Sequence, residues 1–282
     1  MVSSKPDLHQ VVVAALTEDL GDRNVDVTTS SIIDADLMGE AVVIARKPGV
    51  LSGGGAAARV FEMIKPRSEY QALVSEGTLL AAGEEVARVT GSLSSILIGE
   101  RTALNFLQRL SGIATMTRRY ADALAPYPNV TLLDTRKTTP GLRFLERAAV
   151  RAGGGHNHRD GLWDAILIKD NHVAASGSVR EAIRRARKAA MPVEVEVETL
   201  EQLAEALDGG AEIVLLDNMP VELMRQAVEI TAGRAKLEAS GGMTLAGAVA
   251  AARAGVDRIS VGALTHSAPA LDLSLEVTRT WR

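Results

Sequence analysis

The spacing of apolar residues divides the chain into a helical start, a β-rich middle and an alternating second half. Residues 7–20 repeat apolar positions at helical spacing and predict an amphipathic helix that Gly21 ends. Between residues 40 and 98 the apolar positions follow a period nearer two, in short runs separated by glycines. This pattern predicts a mostly β layer with one helix at 56–64.

Beyond residue 115, short apolar runs alternate with alanine- and leucine-rich stretches of helical spacing, such as 179–190 and 200–207. The predicted strands are 130–134, 165–169, 193–197, 212–217, 236–239 and 258–261. Six strand–helix units in succession predict a parallel sheet that closes, or nearly closes, into an α/β barrel. In such a barrel, ligands bind at the carboxyl ends of the strands.

The stretch 98–114 lies between these two patterns and predicts a strong helix that Ser111-Gly112 ends. Arg101 falls in the first turn of that predicted helix, where the helix dipole favours an acid over a cation. From composition alone, Arg101 is a solvated surface residue. The arginine-rich segment 184–188 is interpreted in the same way, because small apolar residues occupy the opposite face of its helix.

Composition excludes several classes of function. The chain has 282 residues, a formal net charge of −4 and no cysteine, so disulfides and thiolate sites are excluded. An acidic chain with 3% aromatic residues offers neither a basic face nor stacking platforms, so we expect no nucleic-acid partner. The N-terminal apolar run is too short for a signal core and no segment reaches membrane-spanning length, so we expect a cytoplasmic protein without a membrane partner.

Against this acidic background, cations are concentrated between residues 134 and 172. Arg136 and Lys137 follow the first predicted strand, Lys169 ends the second, and three of the five histidines lie in the same stretch. Cationic groups at the strand ends of a parallel barrel predict an anion-binding site. His172 is predicted to support its loop rather than to react.

The cations of this stretch differ in the ligands that they suit. Arg136 and Arg159 carry planar forks that match carboxylates, and His158 lies beside Arg159 in the sequence. Lys137 and Lys169 are point charges that suit phosphate oxygens. The combination predicts a ligand or pair of ligands that carries both carboxylate and phosphate groups.

Acidic residues are also placed at strand ends. Glu194, Glu196 and Glu198 alternate with valines, so one face of their strand directs carboxylates into the barrel or its mouth. Asp217 ends the next predicted strand. An Asp/Glu pair above a polyphosphate is a usual way to hold Mg²⁺, which predicts a magnesium site. Spacing alone does not select one glutamate.

Two glycine segments follow the last two predicted strands. Ser240-Gly241-Gly242 and Gly262-Ala263 each precede a helical stretch, and the second stretch contains His266. Barrels commonly bind phosphate at this pair of units through backbone N–H groups, so we predict a phosphate site there. An earlier run, Gly53-Gly54-Gly55, is interpreted as a tight turn before a helix rather than as a phosphate loop.

These segments resemble one family when they are taken in order along the chain. The segments DTRKTTPGLR, GGGHNHR, ILIKDNH, EVEVE, LLDNM, EASGG and VGALTHS, preceded by GERTALNFLQRLSGIAT, resemble quinolinate phosphoribosyltransferase, the decarboxylating nicotinate-nucleotide pyrophosphorylase. The resemblance implies a pentosyltransferase that joins quinolinate to phosphoribosyl pyrophosphate and releases nicotinate mononucleotide, CO₂ and pyrophosphate in NAD biosynthesis. It also implies a six-stranded parallel α/β barrel, TIM-like and open on one side, with an N-terminal α+β sandwich domain.

The resemblance also implies roles for individual residues. The implied quinolinate set is Arg101, Arg136, His158, Arg159 and Lys169. The implied catalytic set is Lys137, Lys169, Glu196 and Asp217, the last two as ligands of Mg²⁺. In the family, Arg101 would come from a second subunit, which implies a homodimer or a higher oligomer with shared active sites. The implied domains are residues 1–114, completed by 268–282, and a barrel at 115–267.

Three other functions agree with parts of the same pattern. A relative that uses another acceptor would keep the phosphate and Mg²⁺ groups without the dicarboxylate residues. A barrel aldolase or sugar-phosphate isomerase needs only the glycine segments and Lys169 as a Schiff base, which the surrounding anion-binding residues disfavour. A non-catalytic nucleotide sensor would bind similar ligands and release no pyrophosphate.

Overall fold

Residues 7–282 are described by the structure, which is a computed structural model. The helices are α1 (Leu8–Leu20), α2 (Val27–Ile32), α3 (Gly54–Met63), α4 (Leu93–Leu124), α5 (Arg143–Ala152), α6 (Asp170–Ser176), α7 (Val179–Ala186), α8 (Leu200–Asp208), α9 (Val221–Thr231), α10 (Leu245–Ala254) and α11 (Ala263–His266). The strands are β1 (Met38–Ala45), β2 (Gly49–Val50), β3 (Glu69–Ala72), β4 (Leu79–Leu80), β5 (Glu85–Ser92), β6 (Thr131–Leu133), β7 (Ile166–Ile168), β8 (Val193–Val197), β9 (Ile213–Asp217), β10 (Lys236–Ser240), β11 (Arg258–Ser260) and β12 (Leu273–Trp281).

These elements form two compact units, which we name the N-terminal unit and the barrel unit. The N-terminal unit comprises the described residues up to Arg118, together with Thr139–Gly154 and Ala268–Arg282. The barrel unit comprises Arg119–Thr138 and Gly155–Ser267. Helix α5 therefore groups with the N-terminal unit, because Leu142 and Leu145 pack against that unit's core. The sequence pattern had placed this segment within the barrel.

The N-terminal unit is built on an antiparallel sheet of order β12-β1-β5-β3. Strand β1 pairs with the C-terminal strand β12 from Met38↔Trp281 to Ala45↔Leu273, so the tail completes this sheet. Helices α1 and α3 contribute Val12 and Phe61 to the apolar core that also holds the strands. The predicted first helix is confirmed, with Asp7 as its N-cap and Gly21 at its end.

Helix α4 is longer than the sequence pattern predicted, and the prediction that Ser111-Gly112 ends it is wrong. These two small residues allow close packing instead. The Ser111 hydroxyl accepts the Ser52 N–H at 2.9 Å and donates to the Ser52 carbonyl at 3.0 Å, and Gly112 lies directly against the Pro269 carbonyl. Arg101 consequently lies more than two turns inside α4, so the predicted first-turn position and its dipole argument are wrong.

In the run Gly53-Gly54-Gly55, Gly53 forms the turn as the N-cap of α3, and Gly54 and Gly55 lie in the first turn of that helix. Gly53 has a φ of 100°, which only glycine adopts readily. The N–H groups of Gly53 and Gly54 donate to the Glu76 carboxylate at 3.0 and 2.7 Å. A carboxylate of the protein itself therefore occupies the place at the helix start that a phosphate would take.

The barrel unit contains a six-stranded parallel sheet of order β6-β11-β10-β9-β8-β7. Each strand begins and ends within one residue of its predicted bounds. Val195, Val214 and Leu216 are completely buried, as expected for strands covered on both faces. Within residues 7–282, no ladder joins the edge strands β6 and β7, so the sheet has one open side.

Side-chain positions show that this sheet is curled. His156 pairs with Leu133 and so extends the sheet by one position beyond β6. On a flat sheet, the His156 segment and β8 would lie about 24 Å apart, from five strand spacings of about 4.8 Å. Ligand atoms of His158, Glu194 on β8 and Glu238 on β10 nevertheless lie within 4.8 Å of one another. The strands therefore surround a common interior.

We expect Gly112→Ala to destabilise the N-terminal unit by about 1–3 kcal/mol, although the same change usually stabilises a helix interior. The new Cβ would overlap the backbone carbonyl of Pro269, which cannot move independently of its chain. Gly55→Ala in α3 is the matched control, because a Cβ there meets nothing within 4 Å. The midpoint of thermal unfolding should fall for Gly112→Ala and hold or rise for the control. Equal midpoints would contradict the close-packing role.

Candidate active site

The buried carboxylate of Asp134 fixes the loop 156–159 beside the end of β6. It accepts the side-chain N–H of Asn157 at 2.6 Å and the backbone N–H of His158 at 2.7 Å. The Asp134 N–H in turn donates to the His156 carbonyl at 3.1 Å. Three bonds on one buried acid leave this loop little freedom, and they set the point from which Arg159 extends.

Arg136 and Arg159 lie close enough to influence each other. Burial and the nearby Arg136 guanidinium lower the pKa of Arg159, while Glu194 and Asp164 oppose that shift. Arg159 Nη1 donates to the Ala165 carbonyl at 3.2 Å, which orients its side chain. An anion bound between two half-buried cations relieves their repulsion, so this pair is the candidate carboxylate site.

His158 directs its ring into the barrel interior, where it meets two carboxylates. Its Nε2 lies 3.1 Å from Glu194 and 3.4 Å from Glu238, whose side chains are 6% and 0% exposed. Arg258 Nε contacts the other oxygen of Glu238 at 2.9 Å. We name these four residues the interior network. Strands β8, β10 and β11 and the loop 156–159 all contribute to it.

The interior network favours the charged form of the histidine. Burial lowers the pKa of His158, but the hydrogen bonds and charges of Glu194 and Glu238 outweigh it and raise the pKa to about 9. On the other side of the ring, Nδ1 accepts the Arg159 N–H at 2.7 Å, a bond that needs this nitrogen without a proton. Protonation of His158 and this bond therefore compete.

His158, Glu194 and Glu238 also have the ligand types of a metal site. The charges of the network favour a proton on His158 over a metal ion bound among these three side chains. With the ring protonated, His158 and Arg258 balance the two glutamates, whereas a divalent ion would leave excess positive charge beside Arg258 in a buried interior. We therefore describe the network as paired charges.

Lys169 and Glu196 form an ion pair at the mouth of the barrel, with 2.6 Å between Nζ and Oε2. The lysine side chain is 46% exposed and the glutamate 14% exposed, so a ligand can reach the pair. His172 Nδ1 accepts the Lys169 N–H at 2.9 Å, which confirms the prediction that His172 supports the loop. Glu198 lies beyond the strand and is exposed.

Asp217 ends β9, the neighbour of β8, and its carboxylate accepts the side-chain N–H of Asn218 at 2.8 Å. Glu196 and Asp217 therefore present oxygen donors from the carboxyl halves of adjacent strands. Hard oxygen donors in a half-buried position are the ligands that Mg²⁺ prefers, so the two residues fit the predicted magnesium site.

The two predicted phosphate segments lie at the ends of β10 and β11. Gly241 and Gly242 have φ values of 93° and 51°, so both adopt left-handed backbone. Gly262 lies against Lys137 and His266, because a Cβ there would be 3.1 Å from Lys137 Cδ and 3.2 Å from the His266 ring. Thr265 Oγ1 donates to the Lys137 carbonyl at 2.8 Å, which ties the segment after β11 to the loop that carries Lys137.

The barrel unit thus contains every predicted site residue except Arg101, which lies in the N-terminal unit. The side chain of Arg101 is exposed and forms no hydrogen bond or ion pair with another residue of the described range 7–282. The implied contact of His158 with quinolinate stays a prediction. In this conformation both ring nitrogens have protein partners.

Sequence reasoning missed four residues that organise the site. They are Asp134, Asn218, Glu238 and Arg258. A usable signal existed for Glu238, which lies between the apolar residues Leu237 and Ala239 inside a predicted strand. A carboxylate inside a buried strand needs a charged partner, and that requirement predicts a network such as this one.

Comparison with protein families covers nearly the whole chain. The profile of the quinolinate phosphoribosyl transferase C-terminal domain matches residues 113–276, and that of the N-terminal domain matches residues 26–111. The boundary between the two matches lies inside helix α4.

Individual relatives agree with these matches. A probable nicotinate-nucleotide pyrophosphorylase (carboxylating) of Bacillus subtilis is 45% identical over 264 residues, covering 93% of this chain and 90% of that protein. A chloroplastic nicotinate-nucleotide pyrophosphorylase of Oryza sativa is 41% identical, covering 96% of this chain and 78% of that protein. The structure of the nicotinate-nucleotide pyrophosphorylase from Francisella tularensis has a TM-score of 0.91 at 40% identity, covering 96% of each chain.

The raised pKa of His158 gives the interior network a pH dependence. A pKa raised from 6.5 to about 9 on folding contributes stability that is complete below pH 6.5 and is lost as pH rises through 9. We expect a loss of about 1–3 kcal/mol over that interval. Denaturant unfolding at pH 6, 7.5 and 9 measures it.

Glu238→Gln should reduce this pH-dependent loss, because it removes one of the two charges that hold the proton on His158. The matched control is Glu181→Gln, at a half-buried carboxylate outside the interior network, whose pKa of about 2 lies outside the interval. Parallel pH profiles for wild type and Glu238→Gln would show that the network does not hold this proton.

Proposed function

Because the chain belongs to the quinolinate phosphoribosyl transferase family, we propose that it transfers the phosphoribosyl group of phosphoribosyl pyrophosphate to the ring nitrogen of quinolinate. The products are nicotinate mononucleotide, CO₂ and pyrophosphate, as in the pyridine-nucleotide branch of NAD biosynthesis. The observation that carries this proposal is the half-buried pair Arg136 and Arg159 beside the acidic strand ends. Two guanidinium groups match the two carboxylates of quinolinate.

The cations bind and orient the two substrates. Arg136 and Arg159 hold the carboxylates of quinolinate, and Lys169 turns from Glu196 towards the same ligand. Lys137 and the backbone N–H groups at Gly241 and Gly262 hold the phosphates. The bound substrates hold the ring nitrogen in line with C1 of the ribose, so the two atoms do not have to meet by diffusion. This positioning supplies much of the rate enhancement.

The proposed reaction needs no covalent bond between substrate and enzyme. The quinolinate nitrogen forms a bond to ribose C1 as the C1–oxygen bond to pyrophosphate breaks. The ring is now a pyridinium, so it can accept the electron pair released when the 2-carboxylate leaves as CO₂. A proton then adds at C2 and completes nicotinate mononucleotide.

Glu196 and Asp217 are the residues that would hold Mg²⁺, because they are the oxygen donors at the mouth of adjacent strands. Bound Mg²⁺ supplies charge neutralisation for the departing pyrophosphate. The ion pair with Lys169 supports this role, since Glu196 already holds a cation in this position. The magnesium requirement is part of the proposal.

The assay that tests the activity is release of labelled CO₂ from quinolinate carrying the label in its 2-carboxylate. Release should require both phosphoribosyl pyrophosphate and Mg²⁺, and should match the amount of pyrophosphate formed. Binding without release, with quinolinate and with other pyridine acceptors, would identify a nucleotide sensor. Pyrophosphate formation with another acceptor but not with quinolinate would identify a relative of different specificity.

The Schiff-base alternative at Lys169 has weaker support. Its ammonium group holds a proton in a hydrogen bond of 2.6 Å to the Glu196 carboxylate. A lysine that attacks a carbonyl must lose that proton first. The guanidinium pair would also have no use in such a reaction.

We expect Arg159→Ala to cost roughly 2–5 kcal/mol of transition-state stabilisation, because it removes one partner of a desolvated charge pair. The measurement is kcat/KM for quinolinate in the CO₂ assay. Arg184→Ala is the matched control, since Arg184 is exposed on α7 and pairs only with Glu181 among the described residues. An unchanged kcat/KM in Arg159→Ala would remove the dicarboxylate role.

The proposal extends to a homodimer in which Arg101 of one subunit serves the barrel of its partner. Support comes from the exposed position of Arg101 on α4 and from the family segment that contains it. Within the described range, no acid pairs with this arginine, so its charge is available to a ligand. A cytoplasmic location is also part of the proposal, and it differs from the chloroplast location in the name of the rice relative.

We expect two inactive variants to restore each other if the site is shared. Arg101→Ala and Lys169→Ala should each be inactive, whereas their mixture should recover about a quarter of wild-type activity, because one hybrid site in two carries neither lesion and half the dimers are hybrid. Subunit exchange is shown separately by mass spectrometry of tagged chains. With exchange demonstrated, a mixture that stays inactive would exclude the shared site.

A further inference from the structure

Asn218 lies between two parts of the proposed site that come from different strands. Its side-chain N–H donates to Asp217 Oδ2 at 2.8 Å, at the end of β9. Its backbone N–H donates to the Ser240 carbonyl at 2.9 Å, at the end of β10. One residue therefore contacts the proposed Mg²⁺ ligand and the first residue of the proposed phosphate segment.

The amide of Asn218 also fills the space above Gly241. A Cβ at Gly241 would overlap the Asn218 amide and would lie 2.8 Å from the Asn218 backbone nitrogen. Gly241 thus lacks a side chain for two reasons, its φ of 93° and the presence of this amide. Asn218 has a φ of 53°, a left-handed conformation that asparagine tolerates better than most residues and that aims its amide back at Asp217.

We propose that Asn218 is a positioning residue that fixes the Asp217 carboxylate relative to the glycine segment 240–242. Carboxylates that bind metals are themselves held by hydrogen bonds, and a carboxylate free to rotate binds its ion less well. Because Asn218 contacts both parts, it sets the distance between the metal-binding carboxylate and the phosphate-binding N–H groups. This inference rests on the proposed function, which gives those two parts their ligands.

The test variant is Asn218→Gly. Glycine keeps the left-handed backbone and the N–H to Ser240 and removes only the amide. We expect binding of pyrophosphate in the presence of Mg²⁺, measured by calorimetry, to weaken by about 10-fold or more. The KM for phosphoribosyl pyrophosphate should rise by a similar factor. The KM for quinolinate should change by less than about 2-fold, since the guanidinium pair is untouched.

Asn24→Gly is the matched control for the backbone change. Asn24 also has a left-handed φ, of 50°, but it lies in the loop between α1 and α2 of the N-terminal unit. We expect its pyrophosphate binding and both KM values to equal those of wild type. Unfolding midpoints of both variants show that the chains are folded, and the exposed position of Asn218 predicts that they are.

A double variant tests the contact between Asn218 and Gly241 directly. In wild type, Gly241→Ala places a methyl group against both the Asn218 amide and the backbone nitrogen of residue 218, whereas in Asn218→Gly only the backbone contact, common to both backgrounds, remains. The strain of alanine at this φ is common to both backgrounds and cancels in the comparison. We therefore expect Gly241→Ala to weaken pyrophosphate binding by a smaller factor in the Asn218→Gly background than in wild type.

The outcomes separate this inference from the function on which it rests. If wild type releases no CO₂ from quinolinate, the proposed function fails. If wild type is active and Asn218→Gly binds Mg²⁺ and pyrophosphate as wild type does, Asn218 has no positioning role. Equal effects of Gly241→Ala in both backgrounds would likewise overturn the proposed link between the two strands.

Discussion

The charge pairs among His158, Glu194, Glu238 and Arg258 are the constraint on which the anion site depends. A barrel interior of this size is usually filled by branched apolar side chains, and four ionisable groups there are costly to desolvate. In such a network each charge is paired with a charge of opposite sign, so loss of one member leaves a buried charge unpaired. Its structural result is a His158 ring whose Nε2 is held between Glu194 and Glu238. The network thereby holds the loop from which the carboxylate-binding arginine extends.

The same principle explains how a chain of net charge −4 keeps a cationic site. Two cations near the ligand have an acid beside them: Glu196 pairs with Lys169, and Glu194 favours the charged form of Arg159. An acid on the side of the cation away from the ligand favours its positive charge. The side that faces the ligand stays free for the ligand's own anionic group. When a ligand carboxylate or phosphate arrives, it meets groups that are already charged and already oriented. Little reorganisation remains to oppose binding.

The barrel strands could be predicted to within one residue, because short runs with apolar residues are followed by polar residues and glycines that mark the strand ends. The same strand ends predicted the position of the anion site, since cationic and acidic residues follow the strands there. One error came from interpreting small residues as helix breakers: Ser111-Gly112 lies inside α4, where packing against Ser52 and Pro269 requires a small volume. Partners could not be predicted, because His158 meets Glu194 and Glu238 only after the sheet curls. The amide of Asn218 acquires its role through a left-handed backbone that the sequence does not reveal.

The central claim is that the guanidinium pair selects a dicarboxylate. Calorimetric titration tests it most directly, with quinolinate and with nicotinate, which has the same ring and lacks the 2-carboxylate. If Arg136 and Arg159 each hold one carboxylate, quinolinate should bind at least about 10-fold more tightly than nicotinate, since the missing carboxylate leaves one half-buried guanidinium without its ligand. Equal affinities, or tighter binding of nicotinate, would contradict the claim.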